Sequence, residues 1–78
     1  MSMDNDNLVR MANRIGEFFQ AMPDRQEAID GVVQHLRRFW EPRMRRALLD
    51  HVDQAGDTTL HPLVAAAIAA GRDTLRPA

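Results

Sequence analysis

The middle of the sequence reads His35-Leu36-Arg37-Arg38-Phe39-Trp40-Glu41-Pro42-Arg43-Met44-Arg45-Arg46. This central segment holds half of the ten basic residues of the chain and its single tryptophan. Pro42 has no backbone N–H and disfavours helical geometry at Glu41, so one helix should end near Trp40 and another should begin with Pro42 at its first position. The segment therefore predicts two helices that meet at a break, with arginines arranged around an aromatic anchor.

Upstream of the central segment, apolar residues recur at helical spacing and predict two helices. The first is expected from about Asp6 to Ala21, with an apolar stripe of Leu8, Met11, Ala12, Ile15, Phe18, Phe19 and Met22. The second starts after Asp24, which forms an acidic capping box with Glu27, and its stripe comprises Ala28, Ile29, Val32, Val33, Leu36, Phe39 and Trp40. The connection is short, so the two helices should form an antiparallel hairpin. Gly16 lies at the margin of the first stripe and indicates close approach by another backbone, in the domain or in a partner.

Downstream, the third helix should run from Pro42 to Ala55-Gly56, with Met44, Ala47, Leu48 and Val52 facing inward. Arg46 is expected to point outward, with an exposed Leu49 beside it. A fourth helix should begin at Pro62 and stop at Gly71; it is rich in alanine, buries little area per side chain and is expected to be the weakest element. The sequence thus predicts an all-α fold, a small bundle of three to four helices.

A chain of 78 residues is expected to form one domain over residues 1–78, with an ordered core from about 6 to 71 and loosely held termini. The absence of cysteine excludes disulfides and thiolate ligands. The acidic start of the chain is unlike a signal peptide, and no apolar run approaches the roughly 18 residues of a membrane span. A cytoplasmic location is the simplest expectation.

No grouping of residues indicates catalysis. His35, His51 and His61 lack the spacing of four residues that places two imidazoles on one metal, and they are expected to be ordinary helix or cap residues. Glu41 lies four residues from an arginine on either side, so it is better explained as an ion-pair partner than as a catalytic acid. We therefore expect no catalytic, cofactor-binding or metal-binding residues, and no enzymatic activity of the chain by itself.

The arginine cluster has three interpretations: a solvated face with local ion pairs, a nucleic-acid surface, or a protein-docking surface. The net charge of −1 argues against nucleic acid, whose binding domains are normally basic. A protein-docking surface best explains why the arginines lie next to aromatic residues, because both residue types are enriched at interfaces. The predicted partner-binding residues are Arg37, Arg38, Phe39, Arg43, Arg45, Arg46 and Leu49, with Trp40 and Pro42 as structural anchors. The alternative is a small nucleic-acid-binding or other regulatory helical module that uses the same arginines.

Three parts of the sequence resemble the delta subunit of soluble, NAD-dependent, molybdenum-containing formate dehydrogenases. They are residues 11–19, the Pro23-Asp24-Arg25 turn and, above all, residues 35–45, within a similarity that runs from about Leu8 to Ala70. The resemblance implies a cytoplasmic accessory subunit that supports assembly, stability or cofactor insertion and carries no active-site residues. Its implied partners are large subunits that hold the molybdenum cofactor, iron–sulfur clusters and flavin. No cofactor, nucleic acid or membrane is expected as a partner of the chain itself, and self-association is left open.

Overall fold

Five helices make up the secondary structure of residues 4–77, the part of the chain that this computed structural model describes. They are α1 (Asn5–Phe19), α2 (Arg25–Phe39), α3 (Pro42–Ala55), α4 (Pro62–Ala70) and the short α5 (Arg72–Leu75). The described residues contain no strand, so the predicted all-α bundle is confirmed. Residues 1–3 and Ala78 belong to the termini that were expected to be loosely held, and they lie outside the described residues.

The helix boundaries follow the local chemistry of the sequence. The Asp24 side chain accepts a hydrogen bond from a backbone N–H in the first turn of α2. Trp40 and Glu41 both have extended backbone, which ends α2 ahead of Pro42 at the first position of α3. Gly56, with φ of 81°, ends α3. The boundaries predicted at these positions are confirmed.

The alanine-rich helix α4 lies at the centre of the bundle and packs against both α1 and α2. Four of its residues, Leu63, Val64, Ala67 and Ile68, are buried. A helix that is apolar on every side belongs in the interior, where its small side chains permit close packing. The expectation that α4 is the weakest element, based on the small area of each side chain, concerns stability and stays a prediction.

The buried face of α1 differs from the predicted stripe and includes Gly16. A Cβ atom at position 16 would lie 2.9 Å from side-chain atoms of both His61 and Val64, so the close approach expected there occurs within the domain, and side chains at the start of α4 make it. The buried residues of α1 are Leu8, Val9, Ala12 and Gly16. Phe18 is 75% exposed, so its assignment to the core stripe was wrong.

The chain after Gly71 adds an element that the sequence analysis did not include. Leu75, in α5, is only 2% exposed and belongs to the core. An ion pair between Arg72 and Asp53 joins α5 to α3. Residues 72–75 are therefore attached to the bundle by an apolar anchor and a charged contact.

Candidate protein-docking surface

The structure separates the predicted partner-binding residues by their exposure. Five are exposed, namely Arg37, Arg38, Phe39, Arg43 and Arg46, while Arg45 is half-buried. Leu49 is only 1% exposed, so the expectation of an exposed leucine was wrong. Leu49 belongs to the core cluster, and the buried face of α3, which contacts both α1 and α5, is wider than the predicted stripe. Trp40 is 6% exposed and lies in the core cluster.

The ion pairs expected at Glu41 are not formed. In the described range 4–77, the ion pair within 4 Å is that of Arg72 with Asp53. Glu41 therefore does not neutralise Arg37 or Arg45, although the sequence spacing allowed it. The arginines of the central segment present their charge to the surroundings.

Helix α2 directs Arg37 and Phe39 of the central segment to different sides. Two residues along a helix correspond to a rotation of about 200°. Phe39 consequently lies beside His35, with their ring centroids 4.9 Å apart, whereas Arg37 faces the side of α3 and α5. The residues that were predicted to form a single docking surface are therefore divided between two surfaces.

The first surface is a row of rings, Phe18, Phe19, His35 and Phe39, which we call the aromatic strip. The rings of Phe18 and Phe19 stand edge to face with centroids 5.1 Å apart, and Phe19 lies 6.2 Å from His35. The ring of Phe19 occupies the space in which a side chain at position 31 would stand, so Gly31 allows it to lie against α2. The two ends of the strip, Phe18 and Phe39, are 75% and 71% exposed.

A cavity of about 250 Å³ lies beside the aromatic strip, lined by Arg14, Ile15, Phe18, Phe19 and His35. A contiguous exposed apolar patch of this kind is typical of an interaction site. Only Phe39 of this strip was predicted to bind a partner, and Phe18 and Phe19 were assigned to the apolar stripe of α1. Gly16 could have indicated that Phe18 is exposed. A glycine at the margin of an apolar stripe marks the side of the helix on which a neighbouring element packs, and Phe18 lies away from that side.

The second surface is a concave site of about 470 Å³, which we call the arginine pocket. Its lining residues are Arg37 from α2, Arg45 from α3, and Asp73, Thr74, Arg76 and Pro77 from the C-terminal segment. The Nε atom of Arg45 is shielded from solvent and has no hydrogen-bond acceptor among the described residues. Arg37 and Arg45 were predicted from the sequence to bind a partner. The C-terminal side of the pocket was not predicted, because no structure was assigned after Gly71.

The polar network around His61 has a structural role. Its Nδ1 accepts a hydrogen bond from the Leu63 backbone N–H at 3.1 Å, which caps α4, and its Nε2 lies 2.9 Å from Oε1 of Gln20. Asn13 accepts from the His61 backbone N–H at 2.7 Å and donates to the Thr59 carbonyl at 2.9 Å. The prediction of a cap histidine is confirmed at His61, and Asn13 holds the loop before α4 against α1.

Residues 4–77 contain neither a metal-binding cluster nor a membrane-spanning helix. No group of three or more His, Asp or Glu side chains in this range is arranged to hold a metal ion. None of the helices in the same range combines the length and the hydrophobicity needed to cross a bilayer.

Aromatic and arginine residues, which this small all-α chain exposes, are the residue types enriched at protein–protein interfaces. The family model of the NADH-dependent formate dehydrogenase delta subunit, FdsD, matches residues 7–68, and the chain belongs to this family. The resemblance carried by residues 35–45 is thereby confirmed. Family membership indicates an accessory subunit of an NADH-dependent formate dehydrogenase. No curated protein and no solved structure matches the chain.

Proposed function

We propose that the chain is a non-catalytic subunit that docks onto the large, molybdenum- and iron–sulfur-carrying subunits of a cytoplasmic formate dehydrogenase. In this proposal, docking supports the assembly, the stability or the cofactor loading of the complex. The delta-subunit family supplies the biological context. The observation that carries the docking role is the aromatic strip, whose end rings Phe18 and Phe39 are 75% and 71% exposed.

The exposed rings supply the energy of association in this proposal. Burying a phenylalanine side chain contributes about 1.5–3 kcal/mol, so covering Phe18 and Phe39 would contribute roughly 3–6 kcal/mol before the costs of association. Both rings touch a neighbouring ring, and a phenylalanine has few rotatable bonds, so little side-chain entropy is lost on docking. The strip therefore has the properties of a binding hot spot.

The exposed arginines of the central segment have a different part in the same proposal. Arg38, Arg43 and Arg46 would form the charged rim of the docking surface, together with the arginine pocket. Charges at a rim favour encounter with an acidic partner and set specificity more than they add affinity. Leu49 is no longer part of this surface because it is buried.

Co-expression of the tagged chain with the other subunits of the formate dehydrogenase from the same host tests the proposal. The wild-type chain should co-purify with them, and Phe18→Ala/Phe39→Ala should lose at least about tenfold of the association, given the energy of two buried rings. The matched control is Met11→Ala/Met22→Ala, because Met11 and Met22 are partly exposed apolar residues outside the strip. This control should co-purify like the wild type, and all variants should retain the helical circular dichroism signal.

Two results would contradict the proposal: a wild-type chain that purifies alone, or a double phenylalanine variant that associates as tightly as the wild type. Formate oxidation and molybdenum content of the complex, measured with and without the chain, separate a role in stability from a role in cofactor loading. Binding of duplex DNA at physiological salt would instead favour the nucleic-acid alternative. The slope with which the affinity falls as salt is added would then give the number of phosphate contacts.

A further inference from the structure

We propose that the arginine pocket binds an acidic peptide segment of a partner protein, whose carboxylates pair with Arg37, Arg45 and Arg76. This inference rests on the proposed function, because it assigns a chemistry to one part of the partner surface. The family match ends at residue 68, and Arg76 lies beyond it, so the pocket joins the matched helices to the segment that follows them.

The pocket is built from parts of the chain that the fold holds in place. Arg37 is near the end of α2 and Arg45 is the fourth residue of α3, so the two lie on either side of the break between these helices. The opposite side, with Arg76, follows directly after Leu75, which is 2% exposed in the core. Because these elements are fixed before binding, little order has to be created when a ligand enters.

The charged groups that line the pocket have a net positive charge. Three guanidinium groups and one carboxylate line it, and none of the three arginines forms an ion pair with another residue in the range 4–77. A concave surface with one sign of charge concentrates the field and attracts anions. A carboxylate can accept hydrogen bonds from the two terminal nitrogens of a guanidinium together, so each arginine offers a bidentate site. The Nε–H of Arg45 is shielded from solvent and lies out of reach of a ligand in the pocket.

The remaining lining residues favour a peptide over a phosphate. Asp73 offers only acceptor atoms when ionised, and Thr74 offers both a donor and acceptors. The backbone N–H groups of a peptide can donate to Asp73 while its side-chain carboxylates accept from the arginines. A nucleic-acid backbone would place a row of negative charges beside Asp73 and offer its carboxylate no donor in return.

The test is an NMR titration of the full-length, isotope-labelled chain with a synthetic hexapeptide of alternating glutamate and glycine. A hexapeptide of alternating glutamine and glycine is the neutral control, and inorganic phosphate and a short DNA duplex are the competing anions. The glutamate peptide should shift the amide signals of Thr74 and Arg76 and the side-chain signal of Arg45, and the neutral peptide should not. Shifts that are equal for both peptides, or tighter binding of phosphate or DNA at the same signals, would overturn the inference.

Substitution of the pocket provides the second arm of the test. Arg45→Gln/Arg76→Gln should weaken binding of the glutamate peptide by roughly tenfold for each contact that is lost, the factor expected for a hydrogen bond between charged groups. The matched control, Arg10→Gln/Arg25→Gln, removes the same charge at exposed positions outside the pocket and should bind nearly as the wild type. If the half-buried Arg45 proves necessary for folding, the exposed Arg37 replaces it in the pocket variant. Equal losses in the pocket variant and the control would show a general charge effect and refute the site.

Co-purification with the formate dehydrogenase subunits distinguishes this inference from the function on which it rests. A wild-type chain that joins the complex, with a pocket variant that joins it equally well, would refute the arginine pocket alone. A wild-type chain that fails to join the complex would refute the proposed function itself. The expected result is a complex that forms with the wild type and is weakened in the pocket variant but not in the control.

Discussion

Replacing Trp40 by alanine should unfold much of this protein, whereas the same change at the adjacent Phe39 should leave it folded. Trp40 is 6% exposed and Phe39 is 71% exposed, although they are neighbours in the sequence. Removing a buried tryptophan costs about 3–5 kcal/mol in free energy of unfolding. Substitution at an exposed position is usually within about 0.5 kcal/mol of neutral.

The size of the protein determines how large this loss is relative to the total free energy of unfolding. Stability of about 0.05–0.15 kcal/mol per residue gives roughly 4–12 kcal/mol for a chain of this length. Trp40→Ala therefore removes between about a quarter and all of the stability. A domain of this size loses about 4–8 °C in melting temperature per kcal/mol, so a fall of at least about 12 °C is expected.

Urea unfolding followed by far-UV circular dichroism is the appropriate measurement, because the substitution also removes the fluorescent reporter. Trp40→Ala should lower the midpoint strongly without changing the slope, and Phe39→Ala should leave both unchanged while weakening co-purification with the formate dehydrogenase subunits. A Trp40→Ala chain as stable as the wild type would refute its role as a core anchor. Loss of about 2 kcal/mol or more in Phe39→Ala would show that the aromatic strip contributes to the core rather than to docking.

Three further variants test other parts of the structure. Asn13→Ala removes the acceptor for the backbone N–H of His61 and a donor to the preceding loop, and should cost about 1–3 kcal/mol in urea unfolding; no loss would show that the loop is held by packing alone. Gly56→Ala meets no neighbouring atom but must adopt φ of 81° with extended ψ, which should cost about 1–3 kcal/mol in a thermal melt; an unchanged melt would contradict this backbone conformation. Arg38→Glu/Arg46→Glu changes two exposed residues, so the melting temperature should be retained while association with the acidic partner surface falls. Undiminished association in pull-downs would mean that these two arginines form a solvated face.

The starts and ends of the long helices could be predicted because each depends on a few neighbouring residues. The cap at Asp24 needs only the N–H groups of the next turn, and the break at Pro42 follows from a missing donor and a steric clash with the residue before it. Gly56 ends α3 for a similarly local reason. These interactions span a single turn of helix, so the sequence determined them without reference to the rest of the bundle.

The faces that the helices bury could not be read from the sequence in the same way. The apolar residues of α1 spread over a wider arc than one neighbour covers, and contact with α4 at Gly16 left Phe18 exposed. Leu49 is buried on α3, which contacts α1 and also α5, a helix of only four residues that periodicity does not reveal. Periodicity fixes the set of apolar positions on a helix, but burial depends on which neighbours approach it. The aromatic strip and the arginine pocket were therefore decided by the tertiary structure, which brings together residues that are distant in the sequence.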